Sequence, residues 1–188
     1  MLIGLLGFAR SGKSTVAAYM SRHYGYRELA FADPLKEVCK ILFGLNESQV
    51  RGEKKEVIDD SLGVTPRYIM QKIGTELFRD QIPVVLPELK LKTSLLIHAL
   101  DQTLQQQTQD CIISDVRFKD EAHFVQQRGG LLIRVVREIE SSSTHASETS
   151  LAVIEPGYFL DNSGDIAHLY SEIDALMKVI GVTKVNIF

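Results

Sequence analysis

Gly7, four further residues, then Gly12, Lys13 and Ser14 spell a GxxxxGKS loop. Before it lies the apolar run Leu2 to Leu6, and after it, from Ser14 through Tyr19 to His23, the chain has helical character. Strand, glycine loop and helix in that order commit the first crossover to an α/β architecture. The glycines let successive backbone N–H groups curl around phosphate oxygens, and the helix start adds a favourable potential for anions. Lys13 has the reach for the outer phosphates, and the Ser14 hydroxyl is a ligand type that magnesium accepts. Gly7, Ala9, Arg10, Ser11, Gly12, Lys13, Ser14 and Thr15 are therefore the candidate donor-phosphate residues. The competing reading is a plain glycine turn with no nucleotide.

The rest of the chain continues the alternation. RELAFAD (27–33) reads as a second strand, and Pro34 opens a helix with Leu35, Val38, Cys39 and Leu42 at helical spacing. Residues 47–61 are the most charged stretch, lack an apolar stripe and read as an irregular excursion. Thr65-Pro66 predicts a capped helix start, with Ile69, Met70, Ile73, Leu77 and Phe78 along one side; a further helix is predicted from Glu88 to Gln109. Strands are predicted at 110–115, 131–136 and 158–160, and a last helix from Asp165 to Ile180. The expected fold is a roughly five-stranded parallel sheet with helices on both faces, three layers in one domain over residues 1–188.

Composition limits the partners. With 21 Lys+Arg against 24 Asp+Glu the net charge is -3, and no basic stripe interleaved with aromatics occurs, which argues against nucleic acid and against an acidic membrane. The N-terminal apolar run stops at its first glycines, so neither a leader nor a membrane span is expected. Cys39 and Cys111 lie in apolar runs without metal spacing and read as core thiols of a reducing compartment, the cytoplasm.

Asp115 ends a predicted strand, where it either orients magnesium, directly or through water, or caps a turn. Anionic groups call for arginines, whose forked donors suit oxyanions. Among Arg10, Arg51, Arg67, Arg79, Arg117, Arg134 and Arg137, the first rank goes to Arg67 and Arg79, on one predicted helix, and to Arg117, just past Asp115. Asp33 is open to two roles, accepting a hydrogen bond from a base, sugar or arginine, or capping a helix. His145 and Glu148 sit in the polar stretch SSSTHASETS, which otherwise reads as an ordinary loop.

GFARSGKST (7–15), FADPLKE (31–37), LGVTPRYIMQKIGTELFRD (62–80), IISDVRFKDEA (112–122) and HASE (145–148) occur in an order that resembles the viral deoxynucleoside monophosphate kinases. That family belongs to the P-loop nucleotide monophosphate kinases, and the resemblance covers nearly the whole chain. It implies a P-loop kinase fold that moves the γ-phosphoryl of ATP, with magnesium, onto a deoxynucleoside monophosphate. It implies an acceptor-binding segment over about 34–85 and a lid-side segment over about 137–150. Lys13, Asp115, Arg117 and Arg137 would serve the transfer itself, with Ser14 and Asp115 toward the metal. Asp33, Arg67, Gln71, Glu76, Arg79, Arg117, His145 and Glu148 would face the acceptor, and DNSG (161–164), with Asn162, would meet the donor adenine through backbone groups, although a strand-to-helix turn explains that tetrapeptide too. The location implied is a host cytoplasm, and a homodimer is left open. Asp120 stands where the family favours asparagine and Leu77 where an aromatic is frequent, and the chain is short for the family.

Two other readings share these features. A kinase of another small metabolite, such as a nucleoside or a dephospho-coenzyme A-like molecule, would use the same loop and sheet. A regulatory nucleotide-binding module would use the loop without turnover; no NKxD-like guanine signature is present.

Overall fold

The computed structural model describes residues 1–137, 151 and 153–185. In chain order the elements are β1 (Leu2–Leu6), α1 (Lys13–Tyr24), β2 (Arg27–Leu29), α2 (Asp33–Phe43), α3 (Glu47–Val50), a 3-10 turn (Glu53–Glu56) and α4 (Pro66–Gln71). A π-helical run (Lys72–Gln81) then leads into α5 (Ile82–Val85), α6 (Leu95–Gln105), β3 (Cys111–Ile113), α7 (Lys119–Gln127), β4 (Leu131–Val136), β5 (Tyr158–Asp161) and α8 (Ile166–Val179). They form two compact units, Met1–Ala30 with Gln106–Phe188, and Phe31–Gln105.

The first unit is built on a five-stranded sheet of order β2-β3-β1-β4-β5, and every neighbouring pair in it is parallel. β1 lies in the middle with helices over both faces, which is why it is apolar at every position instead of alternating. Ile3 and Leu5 join Val16, Ala17 and Met20 of α1 and Leu169, Ile173 and Met177 of α8 in one core. On the opposite face Gly4 lies against Leu132 and against Val125 of α7. The unit is thus the expected three-layer α/β/α arrangement. Ile3, Leu5, Ile112 and Ile133 have no exposed surface, and removing such side chains from water stabilises the fold by roughly 1.5–3 kcal/mol each.

The second unit is helical. Leu35 and Cys39 of α2 meet Leu45, Val50 and Ile69, with Phe43, Leu62, Val64, Met70, Ile73, Phe78 and Leu96 around them. Several local expectations are corrected here. β2 stops at Leu29, and Asp33 already belongs to α2, which Pro34 opens. The charged stretch 47–61 is ordered by short turns: Asn46 Oδ1 accepts from Gln49 N while Gln49 Oε1 accepts from Asn46 N, and Val50 is buried. The helix expected from Glu88 starts only at Leu95, where Ser94 Oγ accepts from Ile97 N; the exposed residues before it offer no apolar stripe to pack.

Thr65 caps α4 as expected, its Oγ1 accepting from Tyr68 N. Beyond Gln71 the turns widen, so residues five apart share a face. Ile73 and Phe78 accordingly face the core, whereas Leu77, expected beside them, is 40% exposed.

At its C-terminal end α1 is tied to α8 by a polar cluster. Asp174 Oδ1 accepts from Tyr24 Oη at 2.7 Å and Tyr19 Oη at 3.0 Å, and its Oδ2 accepts from Lys184 Nζ at 2.6 Å. Partial burial opposes ionisation of Asp174, but the hydrogen bonds from Lys184, Tyr24 and Tyr19 outweigh it and hold the carboxyl below its ordinary range. Burial, reinforced by Asp174, pushes the Tyr24 phenol well above its own. A carboxyl whose pKa is lower in the folded chain stabilises above its unfolded pKa, and that contribution is lost as pH falls through the folded value. Asp174→Asn should therefore lower the melting temperature by a few degrees at neutral pH, no more, because the carboxylate is partly exposed. The gap between the two proteins should close as pH falls below about 4; thermal unfolding across pH checks this, and a gap that stays constant into acid would contradict it.

Candidate functional site

Between β1 and α1 the backbone makes a turn that side chains oppose. Gly7 (φ 147°) and Gly12 (φ 102°) are left-handed, as is Arg10 (φ 64°) between them. A Cβ on Gly7 would stand 2.5 Å from Ser11 Oγ and 2.7 Å from Val135 O, so backbone conformation and space both demand glycine there. Lys13 folds back over the loop, its Nζ donating to Gly7 O and Phe8 O, both at 2.7 Å. Ser11 is 2% exposed, and its Oγ has no hydrogen-bond partner among the described residues. A curled backbone, a lysine resting on carbonyls and an orphaned buried hydroxyl together fit a polyphosphate, which offers oxygens to all three.

The parallel register decides what else stands at this edge. Gly4 pairs with Ile113 and Leu6 with Arg134, while Val136 pairs with Asp161. The strand ends step along the sheet in this register, and the phosphate loop after β1, Asp115 and Arg117 after β3, Arg137 after β4 and Asn162 after β5 all leave the same carboxyl edge, where open α/β sheets take ligands. Asp115 is half-buried, and Arg117 and Arg137 are exposed. Ser14 is exposed in the first turn of α1. Arg134 is bound structurally, its Nη2 donating to Leu151 O at 2.7 Å and also to Ile154 O.

Two buried polar side chains shape this edge. Glu121 is 3% exposed, and its Oε2 accepts from the backbone N of Arg117 at 2.8 Å and of Phe118 at 3.2 Å. It thereby pins the segment that carries Asp115 and Arg117. Its place in the first turn of a helix was the available signal, since a carboxylate there satisfies free N–H groups. Asn162, read as a donor-nucleotide contact, is 7% exposed and turns its side chain inward, Nδ2 donating to Ser11 O at 2.8 Å.

In the second unit Asp33, Arg67 and Glu76 are engaged with charged neighbours. Asp33 does not cap α2; it accepts from Lys36 Nζ at 2.9 Å and Arg51 Nη1 at 2.5 Å. Burial works against its ionisation, and Lys36 and Arg51 overcome it, holding the carboxyl below the ordinary range. Arg51 also pairs with Glu37 and Glu47. Arg67 pairs with Glu56, and Glu76 pairs with Lys72. Gln71 and Arg79 are half-buried, the first ending α4 and the second in the wide run. His145 and Glu148 lie outside the described residues. Among those residues no group of three or more His, Cys, Asp or Glu is placed to hold a metal, and no helix is long and apolar enough to cross a membrane. Cys39 and Cys111 are buried and unpaired with each other, and burial raises both thiols.

A parallel α/β sheet with a strand–GxxxxGKS–helix turn at its carboxyl edge defines a P-loop nucleotide-binding fold. Residues 47–173 match the family model for deoxynucleotide monophosphate kinase. A protein of Acanthamoeba polyphaga mimivirus named "Putative deoxynucleotide monophosphate kinase" is 40% identical over 183 residues, covering 92% of this chain and 94% of its own. The chain belongs to the deoxynucleotide monophosphate kinase family. Among solved structures, shikimate kinase from Aquifex aeolicus superposes with a TM-score of 0.49 at 14% identity, over 96% of this chain and 99% of its own. Dephospho-CoA kinase from Campylobacter jejuni does so with a TM-score of 0.45 at 15% identity, over 95% and 96%.

Glu121→Ala would leave the N–H groups of Arg117 and Phe118 without their carboxylate, at a cost of about 1–3 kcal/mol. Glu121→Gln keeps an acceptor oxygen and should lose less. Denaturant unfolding of both variants measures the difference, and equal stability of Glu121→Ala and the unaltered protein would contradict this role.

Proposed function

We propose that this chain transfers the γ-phosphoryl group of ATP to the 5′-phosphate of a deoxynucleoside monophosphate, yielding ADP and a deoxynucleoside diphosphate. The observation that carries the reading is the family match over residues 47–173 in a chain that begins with a phosphate loop. An acceptor phosphate oxygen bonds to the γ-phosphorus while the bond from that phosphorus to the β–γ bridging oxygen breaks. ADP leaves with the electron pair. Both reactants are anions, so positioning and charge neutralisation do most of the work, and no covalent nucleophile is needed.

In this reading the loop N–H groups and Lys13 hold the β- and γ-phosphates, and Arg117 and Arg137 neutralise the moving group. Arg67 and Arg79 take the acceptor phosphate, with Asp33, Gln71, Glu76, His145 and Glu148 toward its sugar and base. Magnesium, when bound, would neutralise phosphate charge; Ser14 and Asp115 are the residues to hold it, directly or through water, most of its ligands being phosphate and water oxygens. Cys39 and Cys111 are free core thiols, which suits a reducing compartment, and we place the reaction in the cytoplasm, that of a host if the source is viral.

The salt bridge from Arg67 to Glu56 supports an anion site whose counterion is internal until phosphate replaces it. The test is ADP formation from Mg-ATP with each ribo- and deoxynucleoside monophosphate offered singly. Strong stimulation by one or more deoxynucleotides is expected, with little ATP hydrolysis in their absence. Lys13→Ala should reduce transfer with either substrate saturating. Arg67→Ala and Arg79→Ala should raise the KM for the monophosphate about tenfold or more, as loss of a charged contact does. No stimulation by any monophosphate, with ATP binding intact, would overturn the reading in favour of another acceptor.

A further inference from the structure

The loop after β5 is joined to the phosphate loop by one side chain from the far end of the sequence. Asn162 N donates to Val136 O at 2.7 Å, which extends the β4–β5 ladder past Asp161 and fixes the Asn162 backbone. Asp161 Oδ1 accepts from Ser163 N at 3.0 Å and Ser163 Oγ at 2.6 Å, so the chain turns immediately beyond it. From that anchored position Asn162 Nδ2 reaches Ser11 O at 2.8 Å in a buried hydrogen bond. The contact is close: a Cβ on Gly12 would run into Asn162 Nδ2, so the second loop glycine is demanded by Asn162 as well as by its backbone angle. Ser11 and Gly12 are the peptide units that bring the loop into α1.

We propose that Asn162 is a positioning residue for the phosphate loop, its side-chain amide fixing the Ser11–Gly12 peptide so that the loop N–H groups converge on the donor's phosphates. The inference rests on the donor reading above and gives Asn162 a role that acts through the loop and does not involve the base of the nucleotide. With Ser11 O held by a donor, the following N–H groups have one orientation before ligand arrives, and binding need not order them. Without it, a buried carbonyl loses its partner and the turn relaxes toward whatever satisfies it.

Calorimetric titration of the full chain with Mg-ATP and, separately, with Mg-tripolyphosphate distinguishes the two roles, because tripolyphosphate carries no base. Asn162→Leu, close in size and without a donor, and Asn162→Ala, which cannot clash, are compared with the unaltered protein; should the leucine variant fail to fold, the alanine variant carries the test. Affinity for both ligands is expected to fall together, by about tenfold or more. Loss of ATP affinity with tripolyphosphate unchanged would overturn the proposal and make Asn162 a base contact. Unchanged affinity for both would reduce it to a purely structural residue and also overturn it. An unaltered chain that binds neither ligand would refute the donor reading itself, and this proposal with it.

Discussion

The left-handed turn between β1 and α1 is the constraint on which the donor end of the molecule depends. Gly7 and Gly12 take backbone angles that other residues resist, and Arg10 takes one between them. The turn is kept in place from several sides: Val135 O bars any Cβ on Gly7, Asn162 holds Ser11 O, and Lys13 spans the carbonyls of Gly7 and Phe8. In the proposed reaction Lys13 exchanges these carbonyls for phosphate oxygens, a stronger, charge-assisted partner.

Parallel pairing does the rest of the assembly. Because β1, β3, β4 and β5 run the same way, residues from distant parts of the sequence leave the same edge. The helices beneath give that edge its rigidity. α1 is packed along β1 through Val16, Ala17 and Met20, and its far end is tied to α8 through Tyr19, Tyr24, Asp174 and Lys184. A loop at the start of a helix so fixed has little freedom to drift, which is what positioning catalysis asks of it.

In the second unit the cations are paired internally: Arg51 with Asp33, Glu37 and Glu47, Arg67 with Glu56, Lys72 with Glu76. Such exposed pairs contribute little stability, about 0–1 kcal/mol each. The wide helical run serves the same unit by turning Ile73 and Phe78 toward its core.

Features encoded by neighbouring residues were legible in the sequence: the apolar β1 leading into GxxxxGKS, the Thr65-Pro66 helix start, and Asp165 at the start of α8, whose carboxylate accepts from His168 N. Features encoded by packing were not. No local pattern announces that the turns widen after Gln71, because Leu77 and Phe78 are equally apolar and only the core distinguishes them. Nor does DNSG reveal that its asparagine points at Ser11, since that contact exists only once β5 has joined the sheet. The fate of the acceptor's phosphorus is the most direct test of phosphoryl transfer. Phosphorus-31 NMR of Mg-ATP with a deoxynucleoside monophosphate and the protein should show the monophosphate singlet replaced by a coupled pair as ATP becomes ADP. ATP converted to ADP and inorganic phosphate, with the monophosphate singlet unchanged, would contradict it.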